Sequence, residues 1–177
     1  RTDAEGAARQ EVLLVAAQRA MIDTLLTSLK QAGLKVAGVD VSSLALVRAL
    51  VPSAALLSAA AQTGVCRGLV DISSSVSTLV VAVDDALKFT RVVNFSSDRF
   101  AKAISELRGI PFEDAATLVQ SVGLAGPLAP EGDVYSPEVV ADTQMQCRKA
   151  AGELIDEIRR SLDYYQGQEA VAPVQEL

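Results

Sequence analysis

Three short apolar runs follow one another between Gly68 and Phe95, with no stretch long enough for a helix between them. Gly68-Leu69-Val70-Asp71-Ile72 is the first and Val76 to Val83 the second. Leu87 to Phe95 is the third, and it alternates as Leu87, Phe89, Arg91, Val93, Phe95. Runs of this length bounded by Ser73-Ser74-Ser75 and Asp84-Asp85 read as strands joined by tight turns. Most of the chain on either side of this block reads as helix, so the sequence predicts an α/β fold.

Before the block, Val12-Leu13-Leu14-Val15-Ala16-Ala17 is a continuous apolar run, the mark of a strand buried on both faces. Met21, Ile22, Leu25, Leu26 and Leu29 then recur at helical spacing, and Gly33 stands where a left-handed cap ends a helix. Leu34, Val36, Val39 and Val41 alternate as a second strand, which makes Val12–Val41 a small β-α-β unit. Ser42 and Ser43 cap a short helix through Leu44, Val47 and Leu50. Residues 53–62 read as helix or connector, and Gly64 and Gly68 mark a lobe boundary. After the strands, Ser97 caps a helix stopped by Gly109, and a second begins after Pro111. Residues 123–136 form a Gly/Pro-rich loop. A long final helix starts near Pro137, with a stripe through Val140, Cys147, Leu154, Ile158, Leu162 and Tyr165. Gly167 to Leu177 breaks it and ends extended.

Composition excludes several functions. A net charge of −6 leaves no basic field for a phosphate backbone, so nucleic acid is not an expected partner. No apolar run approaches the ~18 residues of a membrane span. Histidine is absent, which removes the commonest neutral-pH acid–base group and zinc ligand, and with it any Ser-His-Asp chemistry. Cys66 and Cys147 lack metal spacing and read as reduced, small apolar residues.

The strand–turn–strand from Leu69 to Val81 carries the most chemical information. Its turn could present backbone N–H groups to a phosphate, and Asp71 at the strand end could hold a magnesium-bound water. On the segment alone, a plain hairpin with a serine turn is the simpler reading. Glu153, Asp156 and Glu157 with Arg159 and Arg160 read as a solvated helix face, and Tyr165 as core.

The order of these features resembles the actin, Hsp70 and FtsA superfamily, and most closely the PilM family of type IV pilus assembly proteins. The resemblance runs through Val12–Ala17, Ala32-Gly33-Leu34-Lys35, Val39-Asp40-Val41, Leu44–Leu50, Leu69–Ile72 and Ile110-Pro111-Phe112-Glu113-Asp114-Ala115. It closes with Glu157-Ile158-Arg159-Arg160-Ser161-Leu162-Asp163-Tyr164-Tyr165-Gln166. It implies a partial actin-like (ribonuclease H-like) fold. Residues 1–41 would be the small subdomain, 42–67 the last helix of a first lobe with a connector, and 68–177 a second lobe lacking its adenosine loop.

The resemblance also implies an ATP and magnesium site in the full-length protein. Asp71, Ser73, Ser74 and Ser75 would form its phosphate loop, with Asp71 an indirect magnesium ligand, while Arg159 and Arg160 would flank the adenosine. Another phosphate loop would precede Arg1 and the adenosine loop would follow Leu177, so this chain is expected to hold no complete nucleotide. Within the matched part, Ser73 and Ser96-Ser97 stand where relatives carry glycine. Ser42 replaces an acid or amide that orders water, and serine is a poor proton acceptor. No catalytic residue is assigned on this pattern.

The function implied is a cytoplasmic actin-like adaptor at the inner face of the inner membrane. It would bind a short cytoplasmic peptide of an inner-membrane pilus protein, PilN in the family, and self-association stays open. An active ATPase is the main alternative, with Ser42 and Ser73 against it. An FtsA-like division filament would want an amphipathic membrane helix, and none is visible before Leu177. A small-molecule kinase on the same fold would want a sugar-binding motif, and none is found.

Overall fold

A computed structural model of the chain describes residues 14–51, 64–124, 135–169 and 171–177. The chain divides into two compact units, Arg1–Asp40 and Val41–Leu177. Residues 1–13, 52–63 and 125–134 lie outside the description, and with them Val12, Leu13, the connector read over 53–62 and most of the Gly/Pro-rich loop.

In the first unit, helix α1 (Arg19–Gln31) forms where the helical spacing places it. It ends as expected at Gly33, whose φ is +76°. Leu34 N–H donates to the Leu29 carbonyl and Gly33 N–H to that of Lys30, the paired closure of a glycine-ended helix. Residues 14–18 and 34–40 enter no strand ladder among the described residues. Of the β-α-β reading, the helix is seen among the described residues, while Val12 and Leu13 of its first strand lie outside them. A continuous or alternating apolar run fixes which faces are apolar, but a strand also needs a hydrogen-bonding neighbour. No described side chain of α1 is buried; Met21 and Leu25 are 62% and 54% exposed.

The second unit is built on a three-stranded antiparallel meander, β1 (Cys66–Ile72), β2 (Ser77–Val83) and β3 (Ala86–Val93). Register runs from Cys66↔Val83 to Ile72↔Ser77, and from Ser77↔Val93 to Val83↔Ala86. The two-residue turn places Asp84 at φ +54°. That left-handed geometry is held at both ends: the Asp84 carboxylate accepts Gly64 N–H at 2.8 Å, and Asp84 N–H donates to Val65 at 3.0 Å.

Helix α2 (Ser42–Leu50) covers one sheet face, with Val47 and Val51 packing on Val80 and Ala82. Its N-cap falls on Val41, without a side-chain cap, so Ser42 and Ser43 are its first two helical residues rather than its caps. Helices α3 (Asp98–Arg108), α4 (Phe112–Val122) and α5 (Pro137–Gln166) pack together through Ala101, Ile104, Ala115, Leu118 and Cys147. The second half of α5 crosses the other sheet face, burying Ala150 and Leu154 on Val93 and Phe95, and Tyr165 on Cys66 and Val81. Ser136 caps α5 by accepting Val139 N–H, with Pro137 at its first position.

One feature of β3 departs from simple alternation. Val81 pairs with Phe89 and Ala82 with Leu87, so Lys88 is an extra residue in a bulge. Leu87 therefore packs with α2 and Phe89 with Tyr165, on opposite faces. A period of two cannot register an inserted residue.

The tail returns along β1. Gly68 N–H donates to Glu176 at 2.8 Å, Gln175 N–H donates to Cys66 at 2.9 Å, and Arg67 pairs with Glu176 at 2.6 Å. This parallel bridge seats Val171, Ala172 and Val174 over the Cys66–Val81–Tyr165 cluster. Both cysteines are free and buried. No helix among the described residues is long and apolar enough to cross a membrane.

Two predictions follow from this packing. Gly109 ends α3 at φ +64° with open space where a Cβ would go. Gly109→Ala therefore costs only backbone strain, about 1 kcal/mol in urea denaturation, and an unchanged midpoint would show that the left-handed cap is not needed. Tyr165 is 2% exposed, and burial, aided by the Cys66 thiol 3.8 Å from its hydroxyl, pushes its pKa from 10.0 up to about 12. Below about pH 10 both states hold the proton. Between about 10 and 12 only the folded state does, so stability falls by on the order of 1 kcal/mol per pH unit. Tyr165→Phe flattens that slope in alkaline unfolding, and a slope unchanged by the substitution would assign it to another group.

Candidate functional site

A cleft of ≈ 350 Å³ opens between the start of α2 and the far end of the sheet. Ser42 and Ser43 form part of its roof, with Ala45, Leu46 and Ala49 along the helix. Asp71 and Thr78 form its floor. The register explains the floor: Asp71 pairs across to Thr78 and Thr78 to Val92, so all three share one sheet face. They belong to the same face as Val80 and Ala82, which α2 covers. Val92 is 65% exposed, because α2 stops short of it.

The structure thus brings together Ser42 and Asp71, two of the residues singled out in the sequence. Thr78 joins them and was not singled out. Its signal was available, since the alternation Thr78, Val80, Ala82 puts it on the α2 face. Among the described residues, Asp71 is the one ionisable side chain lining the cleft. Among the described residues no group of three His, Cys, Asp or Glu could hold a metal. A magnesium ion at Asp71 would take most of its oxygens from water and phosphate, as magnesium commonly does.

Ser73, Ser74 and Ser75 lie in the β1–β2 turn and do not line the cleft. Ser73 N–H (3.3 Å) and Ser73 Oγ (2.6 Å) both donate to the Val76 carbonyl. Ser73 is not among the residues with positive φ, so its backbone makes no demand for glycine. The Ser73 carbonyl accepts Ser97 N–H at 2.9 Å, which links the two serine segments found where glycine was expected.

Arg159 and Arg160 are elsewhere. Both are exposed on α5 and pair along the helix, Arg159 with Asp156 at 3.3 Å and Arg160 with Glu157. Arg160 borders a separate ≈ 350 Å³ cavity with Phe95, Arg99 and Glu153, which shares no residue with the Ser42–Asp71 cleft. Arg99 lies over the Phe95 ring at 5.7 Å. Neither cysteine offers a nucleophile: Cys147 is buried and burial raises its pKa, which keeps it a thiol, and Cys66 is fully buried beneath the tail.

The fold is shared with solved actin-like proteins. A PilM–PilN type IV pilus biogenesis complex matches with a TM-score of 0.65 at 23% identity, over 84% of this chain and 37% of that one. MreB5 of Spiroplasma citri matches with a TM-score of 0.60 in its ADP-bound form and 0.56 in its AMPPNP-bound form, each at 12% identity over 83% of this chain and 48% of that one. The chain thus spans less than half the length of these structural relatives. No curated protein matches the sequence. The profile described as type IV pilus assembly protein PilM matches residues 1–175 of the 177, and the chain belongs to that family.

Proposed function

We propose that this chain is part of an actin-like adaptor of the type IV pilus assembly machinery, one that recognises a membrane partner and does not turn over nucleotide efficiently. The observation that carries this reading is the chemistry of the Ser42–Asp71 cleft. Its polar groups are one carboxylate and the hydroxyls of Ser42, Ser43 and Thr78. Hydrolysis needs a group that accepts a proton or orients water at the attack position. A serine at 42 does neither well at neutral pH. Among the described residues no cation lines the cleft to meet developing phosphate charge, and the Ser73 hydroxyl donates to the Val76 carbonyl.

The partner we infer is the short cytoplasmic segment of an inner-membrane pilus protein, a PilN-like chain. A solved relative of this fold is a PilM–PilN complex, which supports that choice. The seat we favour is the apolar surface of the first unit, where Met21 and Leu25 of α1 and Leu34 and Val39 beyond it are exposed. Such a surface takes a short peptide through apolar pockets and backbone edges. On this reading the protein sits at the inner face of the inner membrane through its partner.

The nucleotide part is tested by calorimetry of this chain with magnesium-ATP. Binding weaker than about micromolar, about −8 kcal/mol, is expected; micromolar affinity would replace the adaptor with a nucleotide-dependent machine. The partner part is tested in the full-length protein by pull-down with the cytoplasmic peptide. Met21→Glu and Leu25→Glu alter exposed side chains and should leave the fold intact while reducing capture about tenfold, or about 1.4 kcal/mol. Asp71→Asn should leave capture unchanged. Undiminished capture by the folded double variant would move the binding surface elsewhere.

A further inference from the structure

Helices α3 and α5 border an open groove of ≈ 570 Å³, apart from the Ser42–Asp71 cleft. One wall is Arg99, Lys102 and Glu106, at successive turns of α3; the other is Gln146, Lys149 and Glu153, at successive turns of α5. The floor between them includes Ala103 and the buried Ala150, and Leu107 stands exposed at the rim. Two ion pairs tie the helices together. Arg99 meets Glu153 at 3.0 Å, and Arg108 meets Asp142 at 2.6 Å.

The charge left over is uneven. Arg99 and Glu153 neutralise each other, and the carboxylate of Glu106 on the α3 wall offsets one lysine, so the groove keeps one surplus positive charge. Lys102 and Lys149 are exposed and neither forms an ion pair among the described residues. They are two of the five lysines in a chain of net charge −6, and both line this one groove. Their charge stands on opposing walls over small side chains. An alanine floor lets the backbone of another segment approach closely, while the two ammonium groups favour carboxylates above it. A small anion would fit less well. Exposed ammonium groups hold it only through screened charge, and among the described residues no buried side-chain donor lines the groove. A protein segment adds apolar contact with Leu107 to the same electrostatics.

We propose that the α3–α5 groove docks a short acidic segment of a partner protein, its carboxylates set between Lys102 and Lys149 over the Ala103–Ala150 floor. The span from Arg99 to Leu107 is about 12 Å along α3, so it accepts roughly two helical turns. The inference stands independently of the adaptor reading, which concerns the first unit and the Ser42–Asp71 cleft.

The test uses the full-length protein and a fluorescent, N-acetylated acidic helical peptide about three turns long, carrying glutamates on one face and a single leucine. Carbodiimide cross-linking followed by peptide mapping should concentrate peptide on Lys102 and Lys149, ahead of Lys30, Lys35 and Lys88. Fluorescence anisotropy should show affinity falling at least tenfold in a Lys102→Glu, Lys149→Glu double variant, and staying unchanged in Lys88→Glu. All three positions are exposed, and circular dichroism checks that the variants fold. Cross-links spread evenly over the lysines would overturn the proposal, as would equal binding by the double variant. So would failure to bind at about millimolar peptide, or complete displacement by inorganic phosphate, which marks a small-anion site.

Discussion

Strand β2 is buried on both faces, and the rest of the second unit is arranged around it. Leu79, Val80, Val81 and Ala82 have no accessible surface. Val80 and Ala82 face α2, while Val81 faces the end of α5 and the returning tail. Leu79, Val80 and Val81 each contribute about 1.5–3 kcal/mol by leaving water, but only if both helical layers are in place. The shape of the cleft follows from this. Helix α2 has 9 residues, about 13 Å, anchored by Val47 over Val80 and Ala82. It cannot also cover the row Asp71, Thr78, Val92, so the sheet face there stays open below Ser42.

Where a feature depends on neighbours in sequence, the chain could be read directly. The ends of α1 and α3 are written in Gly33 and Gly109, which both take positive φ, and the start of α5 in Ser136 and Pro137. The three strands and the inward face of Tyr165 follow from periodicity. Features that depend on distant partners could not be read. The bulge at Lys88 is a difference in residue count between two strands, and neither strand alone contains it. The apolar runs flanking α1 look like strands but join no ladder among the described residues. The tail's pairing with β1 rests on Arg67–Glu176 and on Gly68, which leaves room for Leu177, and no local pattern connects those positions.

The candidate site divides in the same way. Asp71 was conspicuous as an acid at the end of an apolar strand, but its neighbour Ser42 was legible only through resemblance. Thr78 was missed because a hydroxyl inside a strand carries no chemical signal of its own, although its alternation with Val80 and Ala82 already put it on the α2 face. Arg159 and Arg160 illustrate the reverse case. Their spacing from Asp156 and Glu157 already described a solvated helix face, and the structure shows those i,i+3 pairs. Exposed pairs of this kind are worth little to stability, so the arginines are free of any structural duty that would fix them in place.

The serine turn between β1 and β2 is held at one end by its own hydrogen bonds. A loop that cradles phosphate directs its backbone N–H groups outward, toward the anion. Here the Ser73 N–H and hydroxyl both close on the Val76 carbonyl, and the Ser73 carbonyl is met by Ser97 N–H. Ser77 anchors the same end of the sheet by donating its buried hydroxyl to Phe95. Ser73 and Ser77 are thus satisfied from within the protein, while the N–H groups of Ser74 and Ser75 donate to no other group among the described residues. The Ser73 end of the turn is held by the chain's own hydrogen bonds.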